Sequence, residues 1–178
     1  MTRAQLEHII RAAATIAEDD EAVIIGSQSI LGQFPEATGA LTVSNEADVY
    51  PRNLPDRADL IDGSIGEGSP FHDTFGYYAQ GVGPTTAVLP AGCEGRLVRV
   101  ENANTRGAAG LCLEVHDLLL SKYAAGREKD ARFSRAAVTA GLVRRETLED
   151  RLATMLLDDR IRAAVRSRIA ADFAGAMR

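Results

Sequence analysis

Residues 22–27 read Ala-Val-Ile-Ile-Gly-Ser, and residues 44–49 read Ser-Asn-Glu-Ala-Asp-Val. The first is a short apolar run suited to a buried strand, stopped by a glycine and a small hydroxyl residue. Gln28 to Gln33 then reads as a short helix, ended by Gly32 and Pro35. The second lies in an extended stretch, Thr42 to Tyr50. Side chains alternate along a strand, so Glu46 and Asp48 share one face while Ala47 and Val49 share the other. Upstream, Leu6, Ile9, Ile10, Ala13, Ile16 and Ala17 recur at helical spacing, with Thr2 as N-cap and the acidic run Glu18 to Glu21 as the end. Downstream, Pro55 to Ile61 reads as a short helix, and Asp62 to Gly76, rich in glycine and serine, as a flexible loop.

Three strands are expected at Tyr77 to Val82, Thr85 to Leu89 and Leu97 to Glu101, with a turn at Pro90-Ala91-Gly92 between the last two. A loop from Asn102 to Gly110 leads to a final strand that starts at Leu111. After His116 the chain is helical in character: Asp117 to Ala125, Glu128 to Ala140, Glu146 to Leu157 and Asp159 to Met177, punctuated by Gly126 and Gly141. A helix, then strands, then a run of helices predicts an α+β fold, a sheet with helices on one side. The sheet core spans residues 1–115 and the C-terminal helical region 116–178, packed as one compact domain.

The composition agrees with a globular chain. Of 178 residues, 46% are hydrophobic and 25% charged. No apolar run approaches the roughly 20 residues of a membrane span, no signal-peptide pattern is read at the N-terminus, and the cytoplasm is the expected location. Two cysteines, Cys93 in a loop and Cys112 in a core strand, do not make a zinc pattern. Charge is uneven: residues 1–120 hold 7 Lys/Arg and 17 Asp/Glu, and residues 121–178 hold 13 and 8. A basic helical half suits a phosphate-rich partner, but a solvated helix face explains most of these arginines equally well.

Two features carry chemistry. A strand ending in Gly26-Ser27 and entering a helix turns backbone N–H groups toward a phosphate. Two carboxylates at i, i+2, Glu46 and Asp48, are able to hold Mg²⁺ while leaving coordination positions for phosphate oxygens, though many exposed strand faces carry two acids by chance. Other residues have bland readings: His72 is a lone loop histidine, His116 packs at a helix start, and strand alternation puts one of Tyr77 and Tyr78 in the core and the other outside, where a tyrosine ring is able to stack on a base.

Taken in order, Ile24-Ile25-Gly26-Ser27, then Ser44-Asn45-Glu46-Ala47-Asp48, then Asp117-Leu118-Leu119-Leu120-Ser121-Lys122 with Arg127 and Asp130, resemble the minimal nucleotidyltransferase fold. They look most like the bacterial abortive-infection and toxin–antitoxin nucleotidyltransferases. The resemblance spans roughly Val23 to Leu142 and implies a mixed sheet flanked by helices. It also implies a metal-dependent transfer of a nucleotide from an NTP to an RNA (such as tRNA) or protein acceptor, by a chain that works with a cognate antitoxin protein. Residue by residue, Glu46 and Asp48 would hold Mg²⁺ or Mn²⁺. Gly26, Ser27 and Ser44 would line the nucleotide, Lys122 would meet the triphosphate, and Asp130 would bind metal or orient Lys122. A third strand carboxylate is expected, at Glu101 or Glu114. Glu46 stands where the pattern usually has Asp, which leaves two readings open: a longer arm that still reaches the metal, or a catalytically inactive module of the same fold acting through a protein partner.

Overall fold

Thr2 opens the first helix, α1 (Arg3–Ala17), through a capping box. The Gln5 amide donates to the Thr2 hydroxyl at 3.3 Å, and the Thr2 amide to the Gln5 side chain at 2.7 Å. Residues 1–176 are described by this structure, a computed structural model, and Met177, expected in the last helix, lies outside them. The chain divides into two compact units, residues 1–86 with 97–114, and residues 87–96 with 115 onward.

The first unit holds all five strands. They are β1 (Glu21–Ile24), β2 (Glu46–Pro51), β3 (Tyr78–Gly81), β4 (Val98–Val100) and β5 (Ala109–Cys112), and the sheet runs in the order β3-β2-β1-β5-β4. It is mixed: β1 pairs antiparallel with β2 and parallel with β5, β2 is parallel to β3, and β4 is antiparallel to β5. Between β1 and β2 lie a 3-10 turn (Ser27–Ser29) and the short α2 (Ile30–Gln33); between β2 and β3 lie α3 (Ala58–Ile65) and α4 (Pro70–Phe75).

Helices α1, α2 and α3 meet one face of this sheet, and the glycines show it. A Cβ on Gly110 would lie 2.3 Å from Ile10 of α1, a Cβ on Gly32 of α2 would lie 2.5 Å from Cys112, and a Cβ on Gly81 would lie 2.0 Å from the Ala58 carbonyl of α3. In the strand register Gly110, Cys112, Ile24, Val49 and Gly81 all share that face. Ile10, Ile24, Val49 and Cys112 are all fully buried there. The opposite face of β2 carries Glu46, Asp48 and Tyr50, each half-buried.

Two expectations for this unit need correction. The stretch 62–76 is not a loop. Ile61 and Ile65 bury at i, i+4 and carry α3 through Gly63, whose missing side chain faces open space. Ser69 then caps α4, its hydroxyl accepting from the His72 amide, with Pro70 in the first turn and Gly76 left-handed at the end. Thr85 to Leu89 is not a strand either: these residues form turns and irregular backbone, and Val88 is exposed, so no buried face recruits them to the sheet.

The second unit is helical: α5 (Val115–Ala125), α6 (Glu128–Thr139), α7 (Arg145–Leu152), α8 (Asp159–Ala176), and a 3-10 turn at Cys93–Arg96. Its core is tied by three buried aspartates. Asp117 accepts from Arg96 at 2.8 and 3.2 Å and from Arg151 at 2.8 Å. Asp130 accepts from Lys122 and Arg127, and Asp172 from the Tyr123 hydroxyl with Arg135 beside it. Helix α7 stops at Leu152, short of the expected Leu157, because Arg162 reaches back to the carbonyls of Leu152, Met155 and Leu157. Several of the arginines that make this half basic therefore hold the unit together.

Candidate functional site

The parallel register of β2 and β3 sets Glu46 beside Tyr78 and Asp48 beside Gln80. All four fall on the sheet face opposite α1 and α3. The Tyr78 hydroxyl donates to Glu46 Oε2 at 3.4 Å. Burial raises the Tyr78 hydroxyl above the ordinary tyrosine range, and the nearby carboxylates of Glu46, Glu67 and Asp48 push it the same way.

Asp48 is set against the turn after β1. The Ile25 amide donates to the Asp48 carbonyl at 3.1 Å, which extends the β1–β2 pairing one residue toward Gly26. The Asp48 carboxylate then occupies the space a side chain on residue 26 would take: a Cβ there would lie 1.8 Å from Oδ2. Gly26 is extended, so what favours glycine at this position is the close approach of the Asp48 carboxylate and not an unusual backbone angle. The turn that follows is closed by Ser29, whose amide and hydroxyl both donate to the Gly26 carbonyl at 3.0 and 2.8 Å.

Ser44 sits at the entry to β2. Its hydroxyl accepts from the Glu46 amide at 3.1 Å, and its carbonyl accepts from Gln28 Nε2 at 3.0 Å. Gln28 is fully buried and links the Gly26–Ser29 turn to the start of the acidic strand; its Oε1 is buried with no hydrogen-bond partner among the described residues. The structure thus brings Gly26, Ser27, Ser44, Glu46 and Asp48 together in one unit.

Lys122 and Asp130 belong to the other unit. Lys122 Nζ lies 3.3 Å from Asp130 Oδ1 and 4.6 Å from the centre of the Phe133 ring, and both charged side chains are buried. Burial pushes the Asp130 carboxyl up, but Arg127 and Lys122 outweigh it and hold the group below the usual carboxylate range. Both candidates for the expected third acid lie just after strands, Glu101 after β4 and Glu114 after β5. Glu101 pairs with Arg99 at the surface, and among the described residues no group of three His, Cys, Asp or Glu is placed to hold a metal ion.

Tyr78 and His72 are the neighbours that sequence spacing did not tie to the acidic pair. The His72 and Tyr78 ring centres are 4.6 Å apart, and His72 Nδ1 accepts from the Gly68 amide at 3.0 Å. The signal was present in Ser69-Pro70, a helix start that places His72 one turn in. The lone-loop reading of His72 is corrected accordingly. His116 lies in the first turn of α5, buried, with Nε2 accepting from the Arg144 amide.

A five-stranded mixed sheet that sets a Gly-Ser turn against an acidic i, i+2 pair, with helices on its other face, is a nucleotidyltransferase-like domain. The chain belongs to the family described as nucleotidyltransferase of unknown function (DUF6036), which matches residues 4–171. No curated protein and no solved structure matches it. Among the described residues no helix is long and apolar enough to cross a membrane.

Proposed function

We propose that this chain is a metal-dependent nucleotidyltransferase that moves a nucleotide from an NTP to a hydroxyl of an RNA, such as tRNA, or of a protein. We place it with a cognate antitoxin protein in a toxin–antitoxin or phage-defence pair, a role that rests on the sequence resemblance. The observation that carries the activity is the Asp48 carboxylate lying on Gly26, with Glu46 on the same strand face.

This donor set fits Mg²⁺ or Mn²⁺ presented with a nucleotide. Mg²⁺ is commonly bound through one or two carboxylates plus substrate phosphates, and does not need a full protein cage. When bound, such an ion neutralises phosphate charge. The chain's own residues do the rest. Glu46 and Asp48 hold the cation, Gly26 leaves the space Asp48 needs, and Ser27 and Ser44 supply hydroxyls at the two ends of the turn-to-strand link. In the transfer, the acceptor oxygen bonds to the α-phosphorus, the bond from that phosphorus to the oxygen bridging to the β-phosphate breaks, pyrophosphate leaves with that oxygen and its electron pair, and the acceptor's proton passes to solvent. Lys122 as a triphosphate contact and Asp130 as its orienting acid enter the proposal through the resemblance alone.

One observation favours a second reading. With no group of three metal-binding side chains among the described residues, the same fold would serve as a catalytically inactive module that acts through a protein partner. Incubation with each labelled NTP, Mg²⁺ or Mn²⁺, and bacterial RNA or lysate separates the two. Label transferred by the wild type and lost in Asp48→Asn supports the transferase. Thermal stabilisation by NTP and metal without label transfer supports the binding module. No stabilisation by any NTP at millimolar metal removes the transferase and leaves the module that acts through a protein partner.

A further inference from the structure

We propose that the His72–Tyr78 ring pair is the subsite that holds the nucleoside base of the triphosphate ligand. This inference rests on the nucleotide reading above and adds to it: the site would recognise a nucleoside triphosphate and discriminate it from a bare polyphosphate chain.

The argument starts from alternation. Tyr77 and Tyr78 are consecutive and point to opposite faces of β3. Tyr77 is buried on the helix-covered face, its hydroxyl 2.7 Å from His8 Nδ1, among Phe71 and Phe75. That cluster accounts for Tyr77 as core packing. Tyr78 takes no part in it. It stays half-buried on the acidic face, directly beside Glu46 in register.

Helix α4 divides its rings the same way. Phe71 and the exposed Phe75 pack their rings against Tyr77, while His72 turns to Tyr78, tilted 50° at 4.6 Å. The histidine is held in place before any ligand arrives. The Gly68 amide donates to its Nδ1, so the neutral ring carries its proton on Nε2. The tight backbone between α3 and α4 makes that bond possible: a Cβ on Gly66 would lie 2.1 Å from the Asp62 carbonyl, and Gly68 is left-handed at φ 74°. His72 therefore acts as a positioning residue for the Tyr78 ring.

An ordered aromatic surface next to a metal–phosphate locus suits a base, because every base has a π-face and stacking tolerates any of them. The carboxylates take the charged end of the ligand, and the ring pair lies one strand away for the uncharged end. Stacking on one aromatic side chain changes affinity by about 5- to 100-fold.

The test compares Mg²⁺-NTP with Mg²⁺-tripolyphosphate by calorimetric titration, on the wild type, Tyr78→Leu, Tyr78→Phe and His72→Ala. The chain has 4 tyrosines and no tryptophan, so the site's share of the emission is the part lost in Tyr78→Phe, read after correction for absorption by the NTP. Expected are tighter binding of NTP than of tripolyphosphate, and quenching of tyrosine emission by NTP only. Tyr78→Leu should weaken NTP binding by about tenfold or more while tripolyphosphate binding holds, Tyr78→Phe should restore most of the loss, and His72→Ala should fall between. If Tyr78→Leu does not fold, His72→Ala carries the same comparison. Equal wild-type affinity for NTP and tripolyphosphate overturns the base subsite and leaves the metal–phosphate reading standing. An equal loss of both ligands in Tyr78→Leu shows that Tyr78 acts only through Glu46 and also overturns it. Failure of both ligands to bind the wild type refutes the nucleotide reading itself, and this inference with it.

Discussion

Alanine at position 26 would set the turn and the acidic strand against each other. The new methyl would sit 1.8 Å from Asp48 Oδ2, 2.8 Å from its Cγ and 3.2 Å from its Cβ. The Gly26 backbone, at φ −86° and ψ −169°, is open to any residue, so the main chain has no reason to move. The carboxylate is the far end of a half-buried side chain and is able to rotate away. An off-rotamer side chain costs of order 0.5–1.5 kcal/mol, which lowers Tm by a few degrees at most for a chain of this size. The cost to the site is larger, because the oxygen has to withdraw by about 1 Å, and a misplacement of that size reduces function on the order of 100-fold.

A thermal-shift titration reads this directly. With free Mg²⁺-NTP at 100 times Kd, wild type gains about 2.7 kcal/mol, roughly 5–10 °C in Tm. A site weakened 100-fold gains only about 0.4 kcal/mol under the same ligand, roughly 1 °C. The expected result is therefore an apo protein close to wild type whose ligand shift has almost vanished. A full ligand shift in Gly26→Ala would show that the Asp48 carboxylate is not part of the binding locus. An apo Tm lower by ten degrees or more would show that the contact is structural packing and would refute the reasoning from side-chain freedom.

The other expectations follow from the same geometry. Gly81→Ala places its methyl 2.0 Å from the Ala58 carbonyl, a backbone atom that has no rotamer to escape to; overpacking should cost about 3 kcal/mol, read as a lower urea midpoint, with refolding yield as a second measure. Burial raises the Glu7 and Asp19 carboxyls, but hydrogen bonds from Asn104, Asn102 and Arg3 to Glu7, and from Asn53 and the amides of Glu21, Asn53 and Leu54 to Asp19, outweigh it and hold both below their ordinary values. Depressed carboxylates stabilise the fold above their unfolded values of about 4 and lose that contribution as pH falls through the folded ones, so stability should drop below about pH 4, with a flatter profile in Asp19→Asn. Lys122→Met removes the ammonium from buried Asp130 and leaves Arg127, which bonds both carboxylate oxygens. A loss of about 2–3 kcal/mol in denaturant unfolding is expected, largely recovered in the double variant Lys122→Met, Asp130→Asn, and an additive double-mutant cycle would remove the ion pair from the argument.

The strands and helices that bury a clean face were readable in advance. Thr2 caps α1 as expected, with Gln5 completing the box, and Glu46 and Asp48 alternate with Ala47 and Val49 as period two requires. Errors arose where glycine counted for more than its surroundings. Gly63 lies in α3 because Ile61 and Ile65 bury on either side of it and the solvent side needs no side chain. In the opposite sense, Thr85 to Leu89 has β-forming residues but no buried alternate set, and β propensity acts through packing more than through the backbone.

The candidate site was legible to a different degree for each residue, and the reason is distance along the chain. Gly26 and Asp48 are joined by adjacent antiparallel strands, so a reading of two strands predicts their meeting, and the structure supplies what the sequence lacks, the 1.8 Å that leaves a side chain at position 26 no room unless the carboxylate moves. Tyr78 depends on register across a parallel pair separated by two helices, and no periodicity within β3 tells which of Tyr77 and Tyr78 faces Glu46. The deciding contact is the one between Phe71 and Tyr77, which draws Tyr77 to the core and by alternation turns Tyr78 to the acids. His72 follows once Phe71 and Phe75 take one side of α4. A one-residue slip of β3 would exchange the two tyrosines and break both clusters at once. The core aromatic packing under α1 is thus what orients the polar face of the site, and a substitution such as Phe71→Ala, far from any carboxylate, should loosen the Tyr78–Glu46 contact along with the core.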